Sequence, residues 1–121
     1  MNDEKALYAA MAAQVAPFNA PVYRLHAPQL DDQQPDQVPY IVFSREAFSD
    51  AGIEDFCAAD AQLADGYIVD CYALQYAEAR ELSRQMIAVF KAFGSVVDAV
   101  FEDYESSLRI YRVTCSFTLR A

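Results

Sequence analysis

The chain has 121 residues, of which 55% are hydrophobic, and this is the composition of one folded domain rather than of a disordered chain. Acidic residues outnumber basic ones by 18 to 9, so the chain lacks the excess of lysine and arginine that tight binding to nucleic acid requires. No apolar run approaches the roughly 20 residues of a membrane-spanning helix, and the acidic start lacks the basic region of a signal peptide, so we expect one domain over residues 1–121, made in a cytoplasm and not in a membrane.

The first 25 residues predict a helix followed by a short strand. Between Asp3 and Val15, apolar Leu7, Met11 and Val15 recur every four residues among alanines, which is typical of a helix with one buried face. Pro17 then ends the helix, because proline cannot continue its hydrogen bonding. Residues 21–25 (PVYRL) alternate in character and predict an edge or early strand.

The next forty residues contain one clear strand between two polar regions. Residues 27–38 hold two prolines, four glutamines and three aspartates, and predict a loop. Residues 39–44 (PYIVFS) predict a strand, and Pro39 is acceptable at its start. Residues 45–64 mix apolar and acidic side chains, so a short helix around Ile53, Phe56 and Cys57 and a strand with a loop both remain open.

The stretch from residue 66 to residue 94 predicts the centre of the fold, a buried strand that leads into a long helix. The strand, residues 67–74, is apolar enough that both of its faces should be partly covered. The period then changes to steps of three and four residues, as in an amphipathic helix, and Gly94 is its natural end. The side chains expected in the core are Tyr67, Val69, Cys71, Ala73, Ala79, Leu82, Met86, Val89, Phe90 and Phe93.

The last 26 residues predict an antiparallel hairpin. Residues 96–101 (VVDAVF) form its first strand, and residues 102–107 form an acidic turn region. Strict alternation over the final dozen residues predicts a half-buried strand. One face of that strand carries Arg109, Tyr111, Val113, Cys115, Phe117 and Leu119, and the other carries Ile110, Arg112, Thr114, Ser116, Thr118 and Arg120.

These elements predict a two-layer α+β domain. The order is α-β-β-β-α-β-β, with two helices packed on one face of a mostly antiparallel sheet. The opposite sheet face would be solvated in a monomer. In an oligomer it is a candidate subunit contact, because a hydroxyl-rich face can form hydrogen bonds without a large apolar patch. The residues of this candidate contact are Arg112, Thr114, Ser116, Thr118 and Arg120.

No motif predicts catalysis, cofactor binding or a metal site. The three glycines are isolated and cannot form a phosphate-binding loop, and no serine or cysteine nucleophile stands in a recognisable motif. The lone histidine, His26, and three cysteines without a CxxC spacing, Cys57, Cys71 and Cys115, do not predict zinc binding. The residues alone therefore give no evident active site, cofactor site or metal site.

Negative charge is concentrated between residues 31 and 65, where nine acids accompany one base, Arg45. One interpretation is a solvated loop region that keeps the protein soluble. The other interpretation is a surface that contacts a basic partner, or one that lines a space to which it must not adhere. For that functional interpretation the candidate acids are Asp31, Asp32, Asp36, Asp50, Glu54 and Asp55.

Several stretches together resemble one protein family, the tail terminator (tail-completion) proteins of long-tailed bacteriophages and prophages. These stretches are residues 38–43 (VPYIVF), 69–73 (VDCYA), 76–82 (YAEAREL) and 110–117 (IYRVTCSF), and the N-terminal helix with its ALYA at residues 6–9 also fits. The resemblance lies in their order and spacing over most of the chain. The family often has serine or threonine before the second helix, where this chain has Gln75, so the helix cap should be weaker by about 1 kcal/mol.

The resemblance implies a structural virion protein without catalysis or cofactor. Such proteins are similar to ring-forming caps, typically hexameric, at the head-proximal end of the tail tube. They end tube polymerisation and join the tail to the head-completion (connector) proteins, and DNA passes through the ring without specific binding. The implied location is the virion tail, after assembly in the cytoplasm of a bacterial host. In such a ring the acids listed above would line the channel or its rim and repel passing DNA, or would contact a basic patch on the tube or connector.

Two other functional classes remain open from the sequence. A small acidic protein can mimic DNA and occupy the basic cleft of a nucleic-acid-binding protein, and it would then be monomeric or dimeric. A ligand-binding or enzymatic domain with a pocket between helix and sheet is the third class.

Overall fold

Two α-helices and one five-stranded sheet make up the described part of the chain. A computed structural model describes residues 3–24, 39–45, 64–106 and 109–120. The elements in chain order are α1 (Asp3–Val15), a 3-10 turn (Ala16–Phe18), β1 (Val22–Arg24), β2 (Tyr40–Arg45), β3 (Ala64–Ala73), α2 (Tyr76–Ala92), β4 (Val96–Glu105) and β5 (Ile110–Arg120). The predicted α+β class and the predicted order of helices and strands are confirmed.

The strand order across the sheet is β1-β2-β3-β5-β4. β1 runs parallel to β2, and all other neighbours are antiparallel, so the sheet is mostly antiparallel as predicted. β3 lies in the middle and pairs along its whole length with β5, from Ala64 opposite Arg120 to Ala73 opposite Tyr111. β4 and β5 form the predicted hairpin, which puts β4 at one edge of the sheet and β1 at the other.

Both helices pack on the same face of the sheet and form one core with it. The Phe90 ring of α2 stacks on the Phe117 ring of β5 with centroids 4.0 Å apart, and Tyr67 of β3 meets Phe90 edge-on at 5.8 Å. α1 contacts α2 and contributes three fully buried side chains. The predicted core residues are buried, except that Phe93 is only partly so: the buried set includes Leu7, Met11, Val15, Val69, Cys71, Ala73, Ala79, Leu82, Met86, Val89, Val113 and Cys115.

Three predicted boundaries in the C-terminal half were wrong. Residues 102–105 are not a turn but the end of β4, because Asp103 bonds to Arg112 at 2.8 Å and Tyr104 packs on Tyr111 with ring centroids 4.7 Å apart. Arg109 is not a strand residue, since its positive φ of 58° places it in the turn. β3 begins at Ala64 rather than Tyr67, because β5 is long enough to pair with the added residues.

Some predictions concern parts of the chain outside the described residues. These are the predicted loop at residues 27–38, the open interpretation of residues 45–64 beyond Arg45, and His26 and Cys57.

The end of α2 shows why its last turn stops at Gly94. Gly94 has a φ of +87°, and its backbone N–H donates to the Lys91 carbonyl at 2.9 Å. The next N–H, from Ser95, reaches back to the Phe90 carbonyl at 2.9 Å. This pair of bonds is the Schellman motif, which satisfies carbonyls that have no partner within the helix. At the other end, Gln75 makes no side-chain cap hydrogen bond, in agreement with the weak cap predicted there.

Replacing Gly94 with alanine should lower the free energy of unfolding by about 1–2 kcal/mol, because a Cβ atom is unfavourable at positive φ. A Cβ built there would have no heavy atom within 4 Å, so the cost is conformational rather than steric. Asparagine tolerates this conformation better and is the matched control. Urea denaturation measures the free energy of unfolding of both variants. Equal decreases for alanine and asparagine would contradict the conformational explanation.

Candidate interaction surface

The sheet face opposite the helices, called the outer face below, carries most of the predicted contact residues. Neighbouring strands place side chains in rows across it, because directly paired residues of a sheet point to the same side. One row contains Phe101, Thr114, Asp70 and Val42, and the next contains Asp103, Arg112, Tyr72 and Tyr40. The predicted residues Arg112, Thr114, Ser116 and Thr118 are all half-buried. For Arg120 the structure describes only the backbone pairing with Ala64.

Arg112 is the centre of the charged part of the outer face. Its guanidinium donates to Asp103 at 2.8 Å and lies 3.8 Å from a carboxylate oxygen of Glu105. Burial opposes its charge, but hydrogen bonds to Tyr72 and Asp103 outweigh that effect and raise its pKa. Its Nε atom is buried and has no hydrogen-bond partner. Arg112 therefore holds the carboxylates of β4 against β5.

Two hydroxyl groups of the outer face already have partners within the chain. Thr114 donates to Asp70 at 2.5 Å, and Thr118 donates to Asp98 at 2.5 Å. The sequence pattern located this row of hydroxyls but not its acceptors, since they come from the neighbouring strands β3 and β4. This part of the outer face is thus a pair of cross-strand hydroxyl–carboxylate contacts, and a second molecule would meet their remaining acceptor oxygens there.

Three tyrosines extend the outer face toward β1, and the sequence analysis did not assign them a role. The rings of Tyr40 and Tyr72 stack with centroids 4.6 Å apart, and Tyr23 meets Tyr40 edge-on at 6.3 Å. Burial, together with the negative charge that Tyr72 and Asp70 can carry, raises the pKa of Tyr40 to about 12. The sequence signal that could have located these tyrosines is their alternation with apolar residues along each strand. The outer face is therefore aromatic on one side and charged on the other.

The six candidate acids, Asp31, Asp32, Asp36, Asp50, Glu54 and Asp55, lie outside the described residues. A function for them remains a prediction from the sequence.

The described part of the chain contains no group of three or more histidine, cysteine or acidic side chains placed to hold a metal ion. Cys71 and Cys115 are both buried and free. Burial raises the pKa of the Cys71 thiol, and burial and the charge of Asp70 raise that of Cys115 to about 11. Because a thiolate rather than a thiol is the nucleophile, these cysteines are suited to packing.

One open cavity lies between α1 and the β1 edge, with a volume of about 560 Å³. Tyr8, Val22 and Phe43 give it apolar walls, and Glu4 and Arg24 on its rim form an ion pair with each other. The charges of Glu4 and Arg24 are therefore directed at each other rather than at a ligand, while Lys5 also lines the cavity. Separately, the described helices include none that is long and apolar enough to cross a membrane.

Comparison with models of known protein families finds no match to this chain. Comparison with curated protein sequences finds no match either.

Proposed function

We propose that the protein is a structural virion component that forms a ring at the head-proximal end of a phage tail tube. There it ends tube polymerisation and joins the tail to the head-completion (connector) proteins. The observation that supports this proposal is where the family-like stretches lie. Their described residues include most of β2, the second half of β3, the start of α2 and most of β5, and these are neighbouring elements of one packed unit. The resemblance thus falls on one connected part of the fold rather than on scattered segments.

The outer face is the candidate subunit contact of the ring. Asp70 accepts a hydrogen bond from Thr114, and Asp98 accepts one from Thr118. Both carboxylates retain further acceptor capacity. Arg112, Thr114 and Thr118 are half-buried and held by cross-strand partners, so these side chains lose little conformational entropy when a neighbour docks. No catalytic step belongs to this function, and DNA passes the ring without specific contacts.

Native mass spectrometry and negative-stain imaging of the purified protein test the ring. We expect closed rings near six times 13.5 kDa, in solution or on the ends of tail tubes from the same virus. Ser116→Arg should prevent ring closure, because it adds a large charged side chain to the outer face. Ala88→Arg is the matched control, since Ala88 is exposed on α2 and away from that face.

Circular dichroism of both variants verifies that they fold. A wild-type protein that is monomeric at all concentrations and also fails to cap tail tubes would refute the proposal.

A DNA-mimicking inhibitor is the second candidate, and the net charge of −9 favours it. Such a protein would stay monomeric or dimeric and would bind the basic cleft of a nucleic-acid-binding protein. Competition with DNA for that protein, lost at high salt, would distinguish it from a tail component.

A further inference from the structure

β4 is a long strand at one edge of the described sheet. It pairs with β5 on one side, and on its other side no described strand accompanies its ten residues. An edge strand leaves a row of backbone N–H and C=O groups available for pairing with another chain. Proteins usually protect such an edge with charged side chains, above all lysine, or with proline, a bulge or a very short strand. β4 is ten residues long and contains neither lysine nor proline; its protection consists of acids and one bulge at Asp98, and acids do not repel a basic strand.

Exposed apolar side chains are concentrated on this strand. Of the seven large hydrophobic residues that are exposed in the described chain, four belong to β4: Val96 (55%), Val100 (46%), Phe101 (61%) and Tyr104 (47%). Val100 and Tyr104 stand on the helix side of the sheet, opposite Cys115 and Tyr111, whereas Phe101 stands on the outer face, opposite Thr114. An incoming strand would therefore find apolar contacts on both of its own faces.

The charges of β4 indicate what kind of strand would pair with it. β4 carries four acids and no base: Asp98, Glu102, Asp103 and Glu105. Two arginines offset part of this charge, since Arg112 bonds to Asp103 and approaches Glu105, and Arg80 lies 3.8 Å from Glu102. The edge remains negative. Pairing with β4 of a second copy would double this excess along one seam, whereas a basic strand would neutralise it.

We propose that the β4 edge binds an extended segment of another protein that alternates apolar and basic residues and adds as a further strand of the sheet. Backbone hydrogen bonds would supply the pairing, and apolar side chains of the segment would cover Val100 and Phe101. Its lysines or arginines would lie beside Asp98, Glu102 and Asp103. This mode of recognition combines sequence-independent main-chain bonds with side-chain selectivity. The proposal does not depend on whether the protein forms a ring.

Selection from a surface-displayed library of random twelve-residue peptides tests the proposal, with the full chain as bait. The counter-bait is the double variant Val100→Lys, Phe101→Lys, which places protective lysines on the edge. The control bait is Leu74→Lys, because Leu74 is similarly exposed (47%) but lies outside β4. We expect selected peptides to alternate apolar and basic residues and to lose affinity at least about tenfold, or ~1.4 kcal/mol, for the double variant but not for Leu74→Lys.

Two measurements on a selected peptide identify the binding mode. Backbone amide shifts in NMR spectra should change mainly along β4, and N-methylation of alternate peptide nitrogens should abolish binding, since it removes main-chain donors. Selection of peptides without lysine or arginine, equal binding to the double variant, or full binding by the N-methylated peptide would overturn the proposal. So would self-association of the wild-type chain that Val100→Lys alone abolishes, because Val100 lies off the outer face and the edge would then belong to a second copy.

Discussion

Replacing Phe90 with alanine should lower the free energy of unfolding by about 3–5 kcal/mol. Phe90 is fully buried where α2 meets the sheet, and its ring lies 4.0 Å from that of Phe117 with an angle of 6° between the two planes. Tyr67 packs against its edge. Truncation would remove the contacts with both rings and leave a cavity that the closely packed strands cannot fill.

Urea denaturation of Phe90→Ala, Phe117→Ala and the double variant measures this effect. The two changes should not be additive, because each removes the same ring contact; a coupling of about 0.5–1.5 kcal/mol is expected for an aromatic pair. Phe101→Ala is the control on an exposed phenylalanine, and it should cost no more than about 1 kcal/mol, the span of strand propensities. Additive losses, or a loss for Phe101→Ala equal to that for Phe90→Ala, would contradict this description of the core.

Replacing Leu7 with alanine should lower the free energy of unfolding by about 2–5 kcal/mol, because few side chains attach α1 to the rest of the domain. Leu7, Met11 and Val15 are the fully buried side chains of α1, and the alanines between them are exposed or half-buried. An isolated helix of 13 residues is only marginally stable in water, so α1 depends on these contacts.

Thermal and urea unfolding measure the decrease in the free energy of unfolding, and Ala9→Gln is the control. Ala9 is exposed on the opposite side of α1, and glutamine is a good helix former, so this change should stay within about 0.5 kcal/mol. A loss below about 1 kcal/mol for Leu7→Ala would show that α1 contributes little to stability.

The sequence predicted the helices and their buried faces well, because strong local signals define them. Pro17 correctly placed the end of α1, the recurrence of Leu7, Met11 and Val15 correctly gave its buried face, and Gly94 placed the end of α2. The end of β4 was missed for a physical reason. An acidic run such as residues 102–105 favours a turn locally, and only the pairing with β5 brings Arg112 beside Asp103.

The candidate surface was less accessible to prediction because it depends on strand order. The hydroxyl row of β5 was visible as alternation in one strand. Its acceptors, Asp70 and Asp98, belong to strands on either side of β5, and periodicity does not show which strands are neighbours. The open edge was hidden for the same reason, since a strand's own residues do not reveal whether it ends the sheet.

The central position of β3 also constrains the order in which the sheet can form. β4 and β5 are joined by a short turn, whereas β3 pairs with β5 across the whole of α2 and β4. Loop-closure entropy therefore favours early formation of the hairpin and delays the addition of β3. Until β3 arrives, the hairpin has two unpaired edges, which are sites for association between partly folded chains. Pulse-labelling hydrogen exchange would resolve this order, with amides of the hairpin protected before those of β3. Folding at low protein concentration would lower the rate of such association, and a partner that covers β4 would protect one of the two edges.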